Sequence, residues 1–161
     1  ALESRPGLPK RSRVGLRELI DRVVELMRPA AEKKAQGLTV EIEGSPFVAG
    51  DPHYLERAVS NLVDNAIKYT PERGSVRVLA RSEGEHAVLE VTDTGIGIPP
   101  EDLPRVFERF YRVDKSRSRE MGGSGLGLSI VKHIVQVHEG MVEARSTLGK
   151  GSTFLIVLRS A

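Results

Sequence analysis

Asn61-Leu62-Val63-Asp64-Asn65-Ala66-Ile67-Lys68-Tyr69 closes a run, from about Pro52, whose apolar residues recur at helical spacing. At about 100° per residue, Asn61, Asn65 and Lys68 fall within about 60° of one another and form one narrow polar stripe. Leu55, Ala58, Val59, Leu62, Ala66 and Tyr69 lie roughly 100° further round and belong against a core. The polar stripe is thereby placed at the core's edge. Amides have modest helix propensity and are costly when half-buried without partners. The stripe is either a solvated face or one wall of a pocket, and this stretch alone leaves both readings open.

Working outward, Asp51 is a suitable N-cap and Pro52 suits the first helical position. Thr70-Pro71 stops the helix, and Gly74 completes the turn that follows. Towards the N-terminus, Leu16, Leu19, Ile20, Val23, Met27, Ala30 and Ala31 predict a helix over about 14–36, with Gly37 placed to end it. Leu38, Val40 and Ile42 then alternate with Thr39, Glu41 and Glu43, a strand with one buried face, and a short extended piece follows at 47–49. Residues 1–13 carry two Pro and the basic cluster Lys10, Arg11 and Arg13, and read as a linker to a domain over 14–161.

Towards the C-terminus, 75–81 and 86–92 read as strands joined through Glu83-Gly84-Glu85. Ala87, Leu89, Val91 and Asp93 share a face, so Asp93 belongs at a strand end on the core side. Beyond Pro99-Pro100, 101–110 predicts a short helix with Leu103, Val106, Phe107 and Phe110 inward. Residues 111–123 are polar, basic and glycine-ended and are expected to be mobile. A helix over 126–138 and a hairpin of 141–146 with 152–158 complete the chain.

The chain has 161 residues, 39% hydrophobic and 29% charged, which suits one domain with a proper core. Four Phe, three Tyr and no Trp make that core mostly aliphatic. A formal charge of +2 is too small to argue for nucleic acid. Without Cys there is no disulfide, thiolate nucleophile or thiolate metal site. No apolar run is long enough to span a bilayer, so no direct membrane insertion by this stretch is expected.

Asp93-Thr94-Gly95-Ile96-Gly97-Ile98-Pro99 sets a carboxylate at a strand end before two glycines that let backbone approach a ligand. It could serve the amino group of a planar base, but taken alone the fragment reads rather as an ordinary Asp-Thr-Gly turn. Gly122-Gly123-Ser124-Gly125-Leu126-Gly127-Leu128 opens a helix, where free amides and the helix dipole favour phosphate, though such a stretch is as often a hinge. Leu128 stands where a dinucleotide fingerprint needs glycine, and Gly149-Lys150-Gly151-Ser152 lacks the Lys-Ser/Thr pair of a P-loop. Lys115, Arg117 and Arg119 fit a solvated loop, whereas Arg109 and Arg112 are better placed to neutralise phosphate. His53, His86, His133 and His138 show no metal-ligand spacing.

Taken in order, the Asn-rich helix, Asp-x-Gly-x-Gly, Phe-x-x-Phe, Gly-x-Gly-x-Gly and Gly-x-Gly-Ser-Thr-Phe resemble the catalytic and ATP-binding domain of bacterial sensor histidine kinases. The resemblance runs from about Val14 to the end of the chain. It implies an α/β two-layer sandwich, a mixed five-stranded sheet covered on one face by about three helices, with ATP between the layers under a mobile lid. Asn61 and Asn65 would hold Mg²⁺ through their amide oxygens, a donor type that suits this hard cation. Lys68 would contact phosphate and Tyr69 flank the nucleotide. Asp93 would read adenine with Thr153 close by, and Gly95, Gly97 and Ile98 would line the base pocket. Arg109, then Arg112, would stabilise charge on the γ-phosphate, with Tyr111 beside the nucleotide. Gly123, Gly125, Leu126 and Gly127 would close over the phosphates.

Gyrase-type, MutL-type and chaperone ATPases with a similar pocket carry Glu, which activates water, four residues before the metal-binding Asn. Here that residue is Asn61. An amide is no base at neutral pH, so transfer to an external acceptor is favoured over hydrolysis. The resemblance implies that the acceptor is a histidine of a dimerisation domain, which passes phosphate to an aspartate of a response regulator. His138-Glu139-Gly140 is the only His-Glu here and lacks the Arg and Pro of the acceptor context, so the acceptor domain is expected elsewhere in a longer, homodimeric, membrane-anchored parent, this part lying on the cytoplasmic side as a monomer. An anti-sigma-type Ser/Thr kinase and a nucleotide-gated binding module without transfer activity share the pocket and remain the alternatives.

Overall fold

The computed structural model describes residues 11–111 and 127–161. Its sheet contains β2 (Gly37–Glu43), β4 (Ser75–Glu83), β5 (His86–Asp93), β6 (Met141–Thr147) and β7 (Gly151–Arg159), in the spatial order β2-β4-β5-β7-β6. β2 and β4 are parallel and the other neighbours antiparallel, so the sheet is mixed as expected. Among the described residues, three α-helices, α1 (Leu16–Lys33), α2 (Pro52–Tyr69) and α3 (Gly127–Val137), form the second layer. A small antiparallel pair joins β1 (Ser12–Gly15) to β3 (Phe47–Gly50).

Alternation on the strands builds one apolar face. Val76, Val78 and Ala80 on β4, Leu89 and Val91 on β5, and Phe154, Ile156 and Leu158 on β7 are all buried in the same core as Leu19, Ile20 and Val23 of α1 and Leu55, Leu62 and Val63 of α2. This is the two-layer sandwich predicted. Its central helix has the expected bounds, because Asp51 Oδ1 accepts from the backbone N–H of His53 at 2.9 Å and of Tyr54 at 3.3 Å. Such a cap contributes about 1 kcal/mol.

Three local predictions are corrected. The helix expected from Val14 begins at Leu16, since Val14 pairs with Val48 across β1 and β3 and Gly15 is extended. Ser12 and Arg13, expected in the linker, therefore lie in a strand. Gly37 does not end α1; the chain turns at Ala35, with φ +52, and Gly37 is already paired with Ser75. The helix predicted over 101–110 is only a 3-10 turn, Leu103–Arg105, flanked by further i→i−3 hydrogen bonds at Glu108 and Tyr111. Pro104 has no N–H for an α-helical bond. Phe110, expected inward, is 64% exposed with φ +64.

Candidate functional site

The site is assembled from the polar stripe of α2, the C-terminal end of β5 and the hairpin between β6 and β7. Asp93 ends β5 opposite Ser152 of β7, and only 6% of it is exposed. Its Oδ1 accepts from Gly95 N–H at 2.8 Å and Ser152 N–H at 3.2 Å. No hydrogen bond reaches Oδ2 among the described residues. Burial pushes the carboxyl above its ordinary range, opposed by the backbone bonds from Gly95 and Ser152. A buried carboxylate with one oxygen satisfied and the other unengaged is suited to accept from a ligand.

The loop after Asp93 is fastened on both sides. Ile96 N–H donates to Tyr69 O at 3.2 Å, tying it to the end of α2. Gly149 N–H donates to Ile96 O at 2.8 Å, tying it to the β6–β7 hairpin. The close approach explains both glycines: a Cβ on Gly95 would meet Tyr69 O at 2.5 Å, and one on Gly97 would collide with Thr147 O. Gly97 also has φ +75, a conformation that glycine adopts without strain.

On α2, Asn61 Nδ2 donates to Gly127 O, the first residue of α3, at 3.2 Å. This fixes the amide so that its oxygen is the atom left for other partners. Asn65 lies one turn further on, half-buried, and its side chain makes no hydrogen bond among the described residues. Lys68, expected at phosphate, is paired with Asp64 at 3.0 Å, an i,i+4 contact on the helix surface worth about 0.3–0.5 kcal/mol. Behind the stripe, Lys34 Nζ and Gln36 Nε2 both donate to Ile67 O, at 2.8 and 3.0 Å, closing the last turn of α2.

The second anchor of α3 is His138. Its Nδ1 donates to Ile134 O at 2.7 Å, and its Nε2 accepts from Asp51 N–H at 3.0 Å. Burial lowers its pKa, which suits this neutral tautomer.

A sequence profile of histidine kinase-, DNA gyrase B- and HSP90-like ATPases matches residues 50–161. The chain belongs to that ATPase family. It is 41% identical over 157 residues to the sensor-like histidine kinase SenX3 of Mycobacterium tuberculosis, a match spanning 98% of this chain and 38% of that protein. Among solved structures, the mycobacterial sensor histidine kinase MprB aligns with TM-score 0.81 and 36% identity over 94% of this chain and 98% of that one. Full-length ShkA in complex with AMPPNP aligns with TM-score 0.82 and 30% identity, covering 94% of this chain and 32% of ShkA. These relatives mark the chain as a protein histidine kinase catalytic domain.

In this histidine kinase domain, the structure gathers Tyr69, Asp93, Gly95, Gly97 and Ile98 around one loop, and sets Asn61 and Asn65 on the neighbouring helix. Thr153 is a correction. It pairs with Thr92, their hydroxyls 3.1 Å apart, on the face of the sheet opposite Asp93, and Ser152 is the residue beside the carboxylate. Counting back by two from buried Phe154 would have found Ser152. Tyr111 donates its hydroxyl to Asp102 and lies against Arg105, contacts within its own segment. Arg109 is exposed beside the ring of Phe110. Arg112, Gly123, Gly125 and Leu126 lie outside the described residues, and a Cβ on Gly127 would meet nothing within 4 Å.

The donor set fits Mg²⁺ as a partner of phosphate rather than as a cage. No cluster of three or more His, Cys, Asp or Glu able to hold a metal occurs among the described residues, and the two amides supply neutral oxygen. No helix among the described residues is long and apolar enough to cross a membrane.

Proposed function

We propose that this domain binds Mg·ATP between α2 and the end of β5 and transfers the γ-phosphoryl group to a histidine of a dimerisation domain. A response-regulator aspartate then receives it. The observation that carries the reading is Asp93: buried at a strand end, it commits one oxygen to Gly95 and Ser152 and keeps the other for the exocyclic amino group of adenine. Asn61 and Asn65 would hold Mg²⁺ through their amide oxygens, and bound Mg²⁺ would neutralise developing charge on the phosphates. With Nδ2 of Asn61 given to Gly127 O, its oxygen is the one turned to that use.

Asn61 offers no base to a water molecule, which favours transfer over hydrolysis. Lys68 exchanges its exposed pairing with Asp64 for phosphate at little cost, and Arg109 and Arg112 bring positive charge to the γ-phosphate. The acceptor histidine belongs to a separate domain of a membrane-anchored, homodimeric parent, with this part monomeric on the cytoplasmic side. The test supplies labelled Mg·ATP to the domain with and without a separately produced acceptor domain. Acid-labile, alkali-stable label on the acceptor alone is expected. Label on this domain by itself, or acid-stable label on the acceptor, would refute the assignment.

A further inference from the structure

The hydroxyl of Ser146 on β6 lies at the junction of three segments that the nucleotide reading uses, and it spends its whole hydrogen-bonding capacity there. It accepts from Ile98 N–H at 2.7 Å, which fixes the far end of the loop that follows Asp93. It donates to Gly151 O at 2.9 Å, which fixes the first residue of β7. Its oxygen is also 2.9 Å from Ser152 Oγ. A serine hydroxyl has one proton and two lone pairs, so with its proton on Gly151 O the third contact has Ser152 as donor. Ser152 in turn donates its N–H to Asp93. Gly151 lies against the same carboxylate residue, since a Cβ there would collide with Asp93 O, and its φ of +133 is open only to glycine without strain.

We propose that Ser146 is a positioning residue for base recognition: its hydroxyl sets the 94–98 loop and the start of β7 in the register at which Asp93 meets the nucleotide base. The inference rests on the reading of Asp93 as the base-reading carboxylate. Among the described residues, the hydrogen bonds of Ser146 go to Ile98, Gly151 and Ser152, all at the base end of the site, so the effect is expected there. Removing the hydroxyl leaves Ile98 N–H and Gly151 O to find other partners and frees Ser152 Oγ to turn. The hairpin still keeps its separate bonds from Gly149 N–H to Ile96 O and Lys150 N–H to Thr147 O, so the fold is retained.

The test titrates the whole domain calorimetrically with Mg·ATP and Mg·GTP. Ser146→Ala is expected to bind Mg·ATP about 5- to 10-fold more weakly, the effect of one net hydrogen bond, and to narrow the preference for ATP over GTP. Ser146→Thr, which keeps the hydroxyl, restores both. Met141→Ala, on the exposed face of the same strand, changes neither. In phosphotransfer to a supplied acceptor domain, the Ala variant shows a raised KM for ATP with kcat kept. Ser146→Ala and Ser152→Ala together are expected to weaken binding by less than the product of their single effects. Wild-type affinity and base preference in Ser146→Ala would overturn the inference, as would equal weakening toward ATP and GTP accompanied by a lowered Tm. Failure of the wild-type domain to bind Mg·ATP at all would instead overturn the nucleotide reading beneath it.

Discussion

Replacing Asp93 by Asn exchanges one oxygen for an amino group and leaves the shape of the side chain intact. The oxygen that accepts from Gly95 and Ser152 can be kept, so the local backbone stays in place. What changes is the other atom, an acceptor in Asp and a donor in Asn. Facing the amino group of adenine, it sets donor against donor. The loss is a charge-assisted hydrogen bond, about 1.5–3 kcal/mol, plus a donor left unpaired. Affinity for Mg·ATP should fall about 100-fold, or about 2.8 kcal/mol.

Stability should move the other way. Burial raises the carboxyl's pKa above its unfolded value, so the native state holds this proton more tightly than the unfolded one. Stability therefore falls as pH rises from the unfolded to the folded pKa, and the cost of the buried charge is fully present above it. The Asn variant lacks that titration, so without nucleotide it should be at least as stable as wild type at neutral pH, with less change on acidification. Calorimetric titration with Mg·ATP and thermal unfolding across the acid-to-neutral range measure both arms. Unchanged affinity would refute the base-reading role, and a variant less stable at neutral pH would refute the cost assigned to burial.

Asn65→Asp should leave metal-free nucleotide binding within about twofold while slowing Mg²⁺-dependent transfer about 100-fold, through misplacement of the phosphates. Calorimetry with and without Mg²⁺, beside a transfer assay, separates the two. His138→Ala should destabilise the fold by about 1–3 kcal/mol, because Asp51 N–H and Ile134 O lose their shared partner. In the wild type, the lowered folded pKa of His138 means that its contribution is present above the unfolded pKa and is lost as pH falls through the folded one, which urea denaturation at several pH values would follow. Gly97→Ala should cost about 1–2 kcal/mol for its positive φ and displace the β6–β7 hairpin besides, because the new Cβ meets backbone of Thr147 and Leu148. Gly84→Ala, with φ +62 and nothing within 4 Å, should bear only the conformational cost, and equal ATP affinities in the two variants would argue against the hairpin's part in the site.

The features legible in the sequence are those set by neighbouring residues. α2 carries its own start in Asp51-Pro52 and its own stop in Thr70-Pro71, and these local signals gave its bounds. Period-2 alternation put Asp93 on the core face because the strand needs no distant partner to define its faces. β1 was hidden for the opposite reason: Val14 and its neighbours continue the apolar pattern of α1, and only pairing with β3 draws them out as a strand. Phe110 carries an inward signal by spacing, but that spacing assumes an α-helix that Pro104 interrupts. Thr153 was misplaced by one residue, and in a strand one residue is the other face. Ser146 left no mark at all, since a serine in a polar hairpin acquires meaning only when Ile98, Gly151 and Ser152 are brought to it.

Asn61 acquires a second meaning from the structure. Its identity first argued from chemistry, as an amide where water-activating relatives carry a carboxylate. The fold adds that its Nδ2 donates to Gly127 O, while His138 fastens the other end of α3 to the N-cap of α2. α3 is thus pinned to α2 at both ends, and the pin at its N-terminus is one of the two amides proposed for the metal. A glutamate at this position could not make that bond: a carboxylate has no N–H, and it would face the carbonyl of Gly127 as acceptor against acceptor. The same residue that, in the proposed site, withholds a base from water therefore also joins the helix proposed to hold the metal to the helix that follows residues 112–126. Asparagine suits both tasks because it offers a neutral oxygen to one neighbour and an N–H to the other.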